Sequence, residues 1–376
     1  MKQHAINALG VTFALYVFSQ TLLLKQYSDP VQGLLIFLML VSVVLTAMGY
    51  WQQLLQIFSR VRVLGILISI VLFYGLISQP ADLAIVLAKV LFLTSCAAVL
   101  SLRTSAGSFL RIADWVVISV SAIAVLAELG LLPTVRGDWE MLEKSSAGLI
   151  NANTSMFFVF SSIAIYFVFG QVKRVVLGTL VLYILYNFGA FSRTYVVGSA
   201  LLLLLSFLYH RPGFRAGTRP VLLLLMLISW SVGSIFFVTA ATMPELLEPL
   251  AYTPLDWLLS LRLSTAALFL NQPANTLTGL KFSAVDSMFY EILLVFGPVY
   301  WFMFLRGAWR WWRASKRDPT AFKVFALIAV ISTTGLMETL FLNLTLMSVL
   351  LFSVALLPPR YLLTSLQAHK GSGKHQ

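Results

Sequence analysis

Charge is what this chain has least of. Asp, Glu, Lys and Arg together make up 11% of its 376 residues, against 59% apolar residues and a mean hydropathy of +0.90. A soluble domain carries roughly a quarter of its residues as charges to clothe its surface. A water-soluble globule is therefore excluded, and a polytopic membrane protein remains. Cysteine is nearly absent: Cys96 stands alone inside an apolar segment, so the chain can form neither an internal disulfide nor a cysteine metal site. Histidine is just as sparse. His4, His210, His369 and His375 lie near the termini or in a basic loop, with no i, i+4 pair to grip a metal from one helix face. No Asp-x-Asp pair or other acidic metal cluster occurs, so the sequence calls for no metal and no cofactor.

Acids are outnumbered, 14 against 26 Lys and Arg, for a net charge of +12. Nucleic acid is not the expected partner, because most of the basic residues fall in short loops between apolar runs, as the positive-inside rule requires. The first run follows Met1-Lys2, and Leu22-Leu23-Leu24-Lys25 offers no small-residue cleavage site, so it reads as a retained helix. Apolar windows predict spans over 5–24, 31–49, 63–79, 83–102, 114–132, 151–170, 175–191, 195–209, 220–240, 287–305, 322–337 and 341–357. The expected fold is all-α, one transmembrane domain over 1–376 with about twelve helices. Sorting its loops alternately puts 19 basic residues on one side, Lys2, Arg60, Arg215 and Arg313 among them, and six on the other: Lys25, Arg136, Lys144, Arg193, Arg262 and Lys281. Lys89 falls inside the fourth span, where a structural bridge to Glu128 or Glu338 is the simplest reading. Both termini, including the tail 358–376, are then expected in the cytoplasm.

Two outward loops are long enough to carry chemistry, 133–150 and 241–286. The second holds an amphipathic stretch from Leu255 to Leu270, expected to lie as a helix along the membrane surface. Inward, the run Trp309-Arg310-Trp311-Trp312-Arg313 reads as an interfacial belt and phospholipid anchor. The apolar run from Val175 to Tyr209 would extend roughly 52 Å as one helix, far beyond a ~30 Å hydrocarbon core. It must fold back at Ser192-Arg193-Thr194, which raises one guanidinium to the surface between two short spans. There it either snorkels as an interfacial anchor or meets an anion. Arg262, likewise, is either on a solvated face of the amphipathic stretch or a ligand contact, and Arg136 and Lys281 are loop cations on the same side.

Acids Glu128, Asp286, Glu291 and Glu338 fall at or near span ends, so a polar cavity opening outward is expected. Asp286-Ser287-Met288-Phe289-Tyr290-Glu291 opens the tenth span. Asp286 and Tyr290 share a helix face, with Glu291 turned about 140° away. By spacing alone a helix N-cap is the better account of Asp286, and a general base the alternative. Arginine suits a diphosphate because its planar fork holds two oxygens at once and stays charged at any relevant pH.

Three segments resemble the O-antigen polymerase and ligase family of bacterial surface-polysaccharide enzymes. They are Gly148-Leu149-Ile150-Asn151-Ala152-Asn153; Ser192-Arg193-Thr194 with Gly198; and Arg262 through Asn271-Gln272-Pro273 and Gly279 to Asp286-Ser287-Met288-Phe289-Tyr290 and Gly297. Glu338 and Asn343 are similar to the family's closing outward helix end, and the likeness covers roughly 130–345. It implies a GT-C-like membrane fold. It also implies that Arg193 and Arg262 bind the diphosphate of an undecaprenyl-linked oligosaccharide; Arg136, Lys281, Tyr290, Glu291, Asn151, Asn153 and Glu338 are expected as further substrate contacts. A chain-length-determining partner protein is implied as well.

Ligases of the family place a histidine where this chain has Asp286, so the likeness points to a repeat-unit polymerase of the inner membrane with its site facing the periplasm. The expected reaction moves a growing glycan from undecaprenyl diphosphate onto the non-reducing end of an incoming repeat unit. A flippase for the same lipid-linked sugars is the main alternative, and an O-antigen ligase the second.

Overall fold

The computed structural model describes residues 2–21, 24, 28–58, 62–73, 80–101, 106–134, 136–139, 142–145, 147, 149, 152–190, 192–242, 249, 253, 297–335 and 344–363. Among these are twelve helices of eleven or more residues: α1 (Lys2–Ser19), α2 (Ser28–Phe58), α3 (Arg62–Phe73), α4 (Pro80–Leu100), α5 (Ala106–Glu128), α6 (Ala152–Phe169), α7 (Val172–Asn187), α8 (Arg193–Leu208), α9 (Pro212–Thr242), α10 (Gly297–Ala314), α11 (Pro319–Thr334) and α12 (Leu346–Leu356). Four contain stretches with the length and composition to cross a membrane: Pro30–Leu55 in α2, Leu83–Leu100 in α4, Gly107–Glu128 in α5 and Gly213–Ile235 in α9. The chain is a helical membrane protein. The all-α expectation holds, with one short addition in a loop. The loop 133–150 holds an antiparallel hairpin, β1 (Arg136–Trp139) against β2 (Leu142–Ser145), with Arg136 opposite Ser145 at its base.

Helix limits differ from the apolar windows in an instructive way. α5 begins at Ala106, eight residues before the window at 114, and so takes Arg111 into the helix and sets Asp114, the first residue of that window, about two turns inside it. Asp114 is tolerated because it is neutralised: Arg174 of α7 meets its carboxylate at 2.9 Å, and the Tyr166 hydroxyl of α6 donates to it at 2.8 Å. One carboxylate thereby ties three helices. α10 likewise runs nine residues past its window, carrying the Trp and Arg cluster out to Ala314. Hydropathy reports where a chain is apolar, whereas a helix continues into the headgroup zone as long as its backbone stays paired.

The centre of the bundle consists of α6, α11 and α12. Every residue of α12 is buried, as are nearly all of α6 and α11. α4 and α10 flank α12, while α8 and α9 flank α11. Large apolar side chains such as Phe37, Met48, Leu224 and Ile235 stand exposed on α2 and α9, the faces a hydrocarbon phase would cover. Among the described residues, uncharged polar contacts between helices include Thr12 to Ser42 at 3.0 Å between α1 and α2, and the Trp230 indole donating to Ser332 at 3.0 Å between α9 and α11. In an apolar phase each such bond contributes on the order of 0.6 kcal/mol, so close packing of small residues matters more.

Gly307 is the clearest case. A Cβ at that position would run into the backbone carbonyl of Val354, because α10 and α12 meet there backbone to backbone. Gly307→Ala is expected to lower stability by about 1–3 kcal/mol, the usual cost of overpacking. Thermal unfolding in detergent checks this, with Gly213→Ala, which meets open space, as the control. Equal melting temperatures for the two variants would show that α10 and α12 are not in close contact.

Two ends of the bundle can be told apart by their contacts. At one, Lys323 near the start of α11 places its ammonium 3.9 Å from the centre of the Tyr209 ring. Gly170, at φ +75°, makes room for it, since a Cβ there would lie 2.6 Å from Nζ. The α6–α7, α8–α9 and α10–α11 turns therefore converge at this end. Asp318 caps α11, accepting from the Thr320 and Ala321 amides at 2.6 and 3.1 Å. Opposite lies the end that carries Arg193.

Candidate functional site

At the Arg193 end, α7 stops because Gly189 adopts φ +92°, and the Ala190 amide returns to the Leu185 carbonyl at 3.1 Å in a Schellman-like closure. Three residues later α8 begins, with Ser192 as its N-cap in extended conformation and Arg193 as its first helical residue. The fold-back predicted from length alone is thus present at 188–192, with Arg193 on its α8 side. The first turn of α8 is pinned from below. Ser192 is buried and its amide donates to the Met156 sulfur of α6 at 3.3 Å. Tyr195 is fully buried between Phe157 and Phe160, with ring centroids 5.7 and 5.4 Å away. One turn further in, Gly198 lets α8 approach Phe160 of α6 and Thr334 at the end of α11.

Arg193 itself points away from this packing. It is exposed, and it makes no ion pair or side-chain hydrogen bond among the described residues. The Ser192 side chain makes no capping bond, and no acid lies in the first turn of α8 or of α6. A helix N-terminus carries unpaired amides and a partial charge of roughly +0.5. Guanidinium and helix end together make an electropositive corner that no neighbouring carboxylate offsets among the described residues.

Asn153, half-buried, lies three residues before Met156 on the same face of α6, so the Met156–Ser192 contact brings the first turns of α6 and α8 together. Arg136 sits at the base of the hairpin that leads back to α6, and Leu149 forms an isolated bridge with Thr21 at the end of α1. Arg193, Asn153 and Arg136 therefore belong to the same end of the bundle. Asp286, Arg262, Lys281, Tyr290, Glu291, Asn151 and Glu338 lie outside the described residues, as do the amphipathic stretch 255–270 and most of the loop 241–286. Met156 and Tyr195, which hold Arg193 in place, carry no chemical signature in the sequence. Only their spacing along apolar helices marks them, and that spacing is shared by dozens of core residues.

α12 adds one further property of this end. It starts at Leu346, capped by Thr345, and its Met347 amide donates to the Ser161 hydroxyl at 2.9 Å. Ser161 lies nine residues into α6, roughly 14 Å from the start of that helix. α12 thus begins deep inside the bundle. Among the described residues no group of three His, Cys, Asp or Glu is placed to hold a metal ion. No protein-family model, curated protein or solved structure matches the chain.

Proposed function

We propose that this chain is a polymerase of lipid-linked oligosaccharide repeat units, acting in the bacterial inner membrane with its site on the periplasmic side. The observation that carries this reading is Arg193, an exposed guanidinium without an acidic partner among the described residues, on the first turn of a helix whose N-terminus is itself electropositive. Such a corner favours a dianionic group such as a diphosphate. The resemblance of the Ser192-Arg193-Thr194 turn and of the Asp286 segment to O-antigen polymerases supplies the substrate class.

In the proposed reaction the acceptor hydroxyl forms a bond to C1 of the donor sugar while the C1–O bond to phosphate breaks. The electron pair leaves with undecaprenyl diphosphate. Arg193 and Arg262, with Arg136 or Lys281, hold the leaving diphosphate and stabilise its developing charge. Asp286 takes the acceptor proton or orients the acceptor, and Asn151, Asn153, Tyr290, Glu291 and Glu338 line the sugar path. This assignment needs about twelve spans, both termini in the cytoplasm and a GT-C-like arrangement. It also leaves room for a chain-length-determining partner.

The protein reconstituted in vesicles with undecaprenyl-diphosphate-linked repeat units is expected to yield glycans longer than one repeat and to release undecaprenyl diphosphate. A flippase is the second reading, favoured by the deep start of α12, since transporters build midplane sites from discontinuous helices. Movement of the repeat unit across the vesicle membrane without chain growth would establish that reading and overturn the first. Transfer to lipid A core in place of a second repeat would instead make it a ligase. Sidedness is checked by reporters: those fused after Arg215 or Arg313 should read as cytoplasmic, and a cytoplasmic reading within 245–280 would defeat the site assignment.

A further inference from the structure

At the end of the bundle opposite Arg193 lies a cleft of about 780 Å³ between the end of α10 and the start of α11. Its walls are Trp309, Trp312, Arg313, Lys316 and Arg317, and Leu363 closes its apolar side. The two indoles stack at 4.5 Å, and cations cover them: Arg313 lies 5.3 Å from the Trp309 ring centre, Lys316 5.1 Å and Arg219 of α9 5.5 Å from that of Trp312. Three cations therefore line the cleft and a fourth, Arg219, covers one of its indoles, and none of the four makes an ion pair among the described residues. The Trp312 indole nitrogen and Arg219 Nε are buried donors without an acceptor among the described residues. Asp318, the one acid on the wall, gives its Oδ1 to the first amides of α11. A cleft so rich in donors calls for a ligand that brings several acceptor oxygens and negative charge.

Its surroundings say which kind. Along the exposed face of α10, Val299, Phe302, Arg306, Trp309 and Arg313 succeed one another at helical spacing. This stripe runs from apolar at Val299 and Phe302, the latter 64% exposed, to a basic and aromatic half at the cleft, Arg306, Trp309 and Arg313. Free phosphate would use only the last of these. A glycerophospholipid uses all of them, with acyl chain along Val299 and Phe302, glycerol at the indole and phosphate among the cations. We infer that this cleft is a specific binding site for the headgroup of an anionic phospholipid, distinct from the Arg193 end and independent of the reaction proposed there.

The test uses the purified full-length protein in neutral detergent and follows tryptophan quenching by brominated phosphatidylglycerol, with brominated phosphatidylcholine as the uncharged comparison. Phosphatidylglycerol is expected to quench saturably and at lower concentration. The double variant Arg313→Gln, Lys316→Gln should weaken its apparent binding roughly thirtyfold, about fivefold per cation removed. Trp312→Phe keeps a ring but loses the donor and one of the two indoles in the cleft, and should show a smaller saturable quenching step, reported by Trp309, that requires more lipid. Should the double variant fail to fold, the wild-type comparison of the two lipids decides alone. Equal quenching by both lipids, or unchanged binding by a folded double variant, would overturn the proposal. So would inorganic phosphate displacing the lipid at matched concentration, which would make the cleft a phosphate site.

Discussion

Cells producing Arg193→Ala are expected to show surface glycan reduced to single repeat units, and Arg193→Lys is expected to leave it there. The arginine fork meets a diphosphate with two parallel bonds, whereas an ammonium offers a point charge that cannot span both oxygens. Hydrogen bonds to charged groups contribute about 1.5–3 kcal/mol each, so losing two of them costs roughly a hundred- to ten-thousand-fold in rate. The fold should be indifferent to the change, because Arg193 is exposed and unpaired among the described residues while Tyr195 and Met156 do the anchoring. Melting temperatures near wild type are therefore part of the expected result. A normal polymer ladder from Arg193→Ala at normal protein level would reduce this residue to an interfacial anchor.

Asp286→Asn and Asp286→Ala are expected to diverge according to which role the residue has. Asparagine is as good an N-cap as aspartate, so a purely structural Asp286 tolerates Asn and loses about 1 kcal/mol on replacement by Ala. A general base tolerates neither. Removing proton transfer costs on the order of a hundred- to ten-thousand-fold, and the proposed role predicts that loss for both variants in a purified assay of undecaprenyl diphosphate release. Near-native turnover by a folded Asp286→Asn would move the search for a base to Glu291.

The apolar windows found the helices but not their ends, and the reason lies in partners that are remote in sequence. The window opened at Asp114 itself, and nothing nearby shows that the helix starts eight residues earlier and encloses that carboxylate, because the arginine that neutralises it stands at position 174. The fold-back at 188–192 was legible because length alone forbids a single span there. By contrast, the hairpin at 136–145 has strands of four residues without apolar alternation, and no periodicity could have announced it. Arg193 could be picked out as a cation in an apolar run. That its helix start lies beside that of Asn153 could not, since the link is Met156, an ordinary core residue by every sequence measure. Gly307 was equally silent, being one glycine among the aromatic and basic residues of α10, and its role appears only when Val354 is seen against it.

The burial of α11 and α12 at the centre of the bundle sets the order in which this protein can be made. A ribosome delivers α6 and its neighbours first, and α12 begins roughly 190 residues after Ala152. At about 5–20 residues per second, α6 waits on the order of ten to forty seconds for the helices that will cover it. During that interval Ser161, whose hydroxyl finally meets the Met347 amide, has yet to receive that partner. The nascent chain must be sheltered by the insertion machinery or by provisional contacts among the early helices. A ribosome that stops before Leu346 leaves α6 and α11 without the third helix of their core.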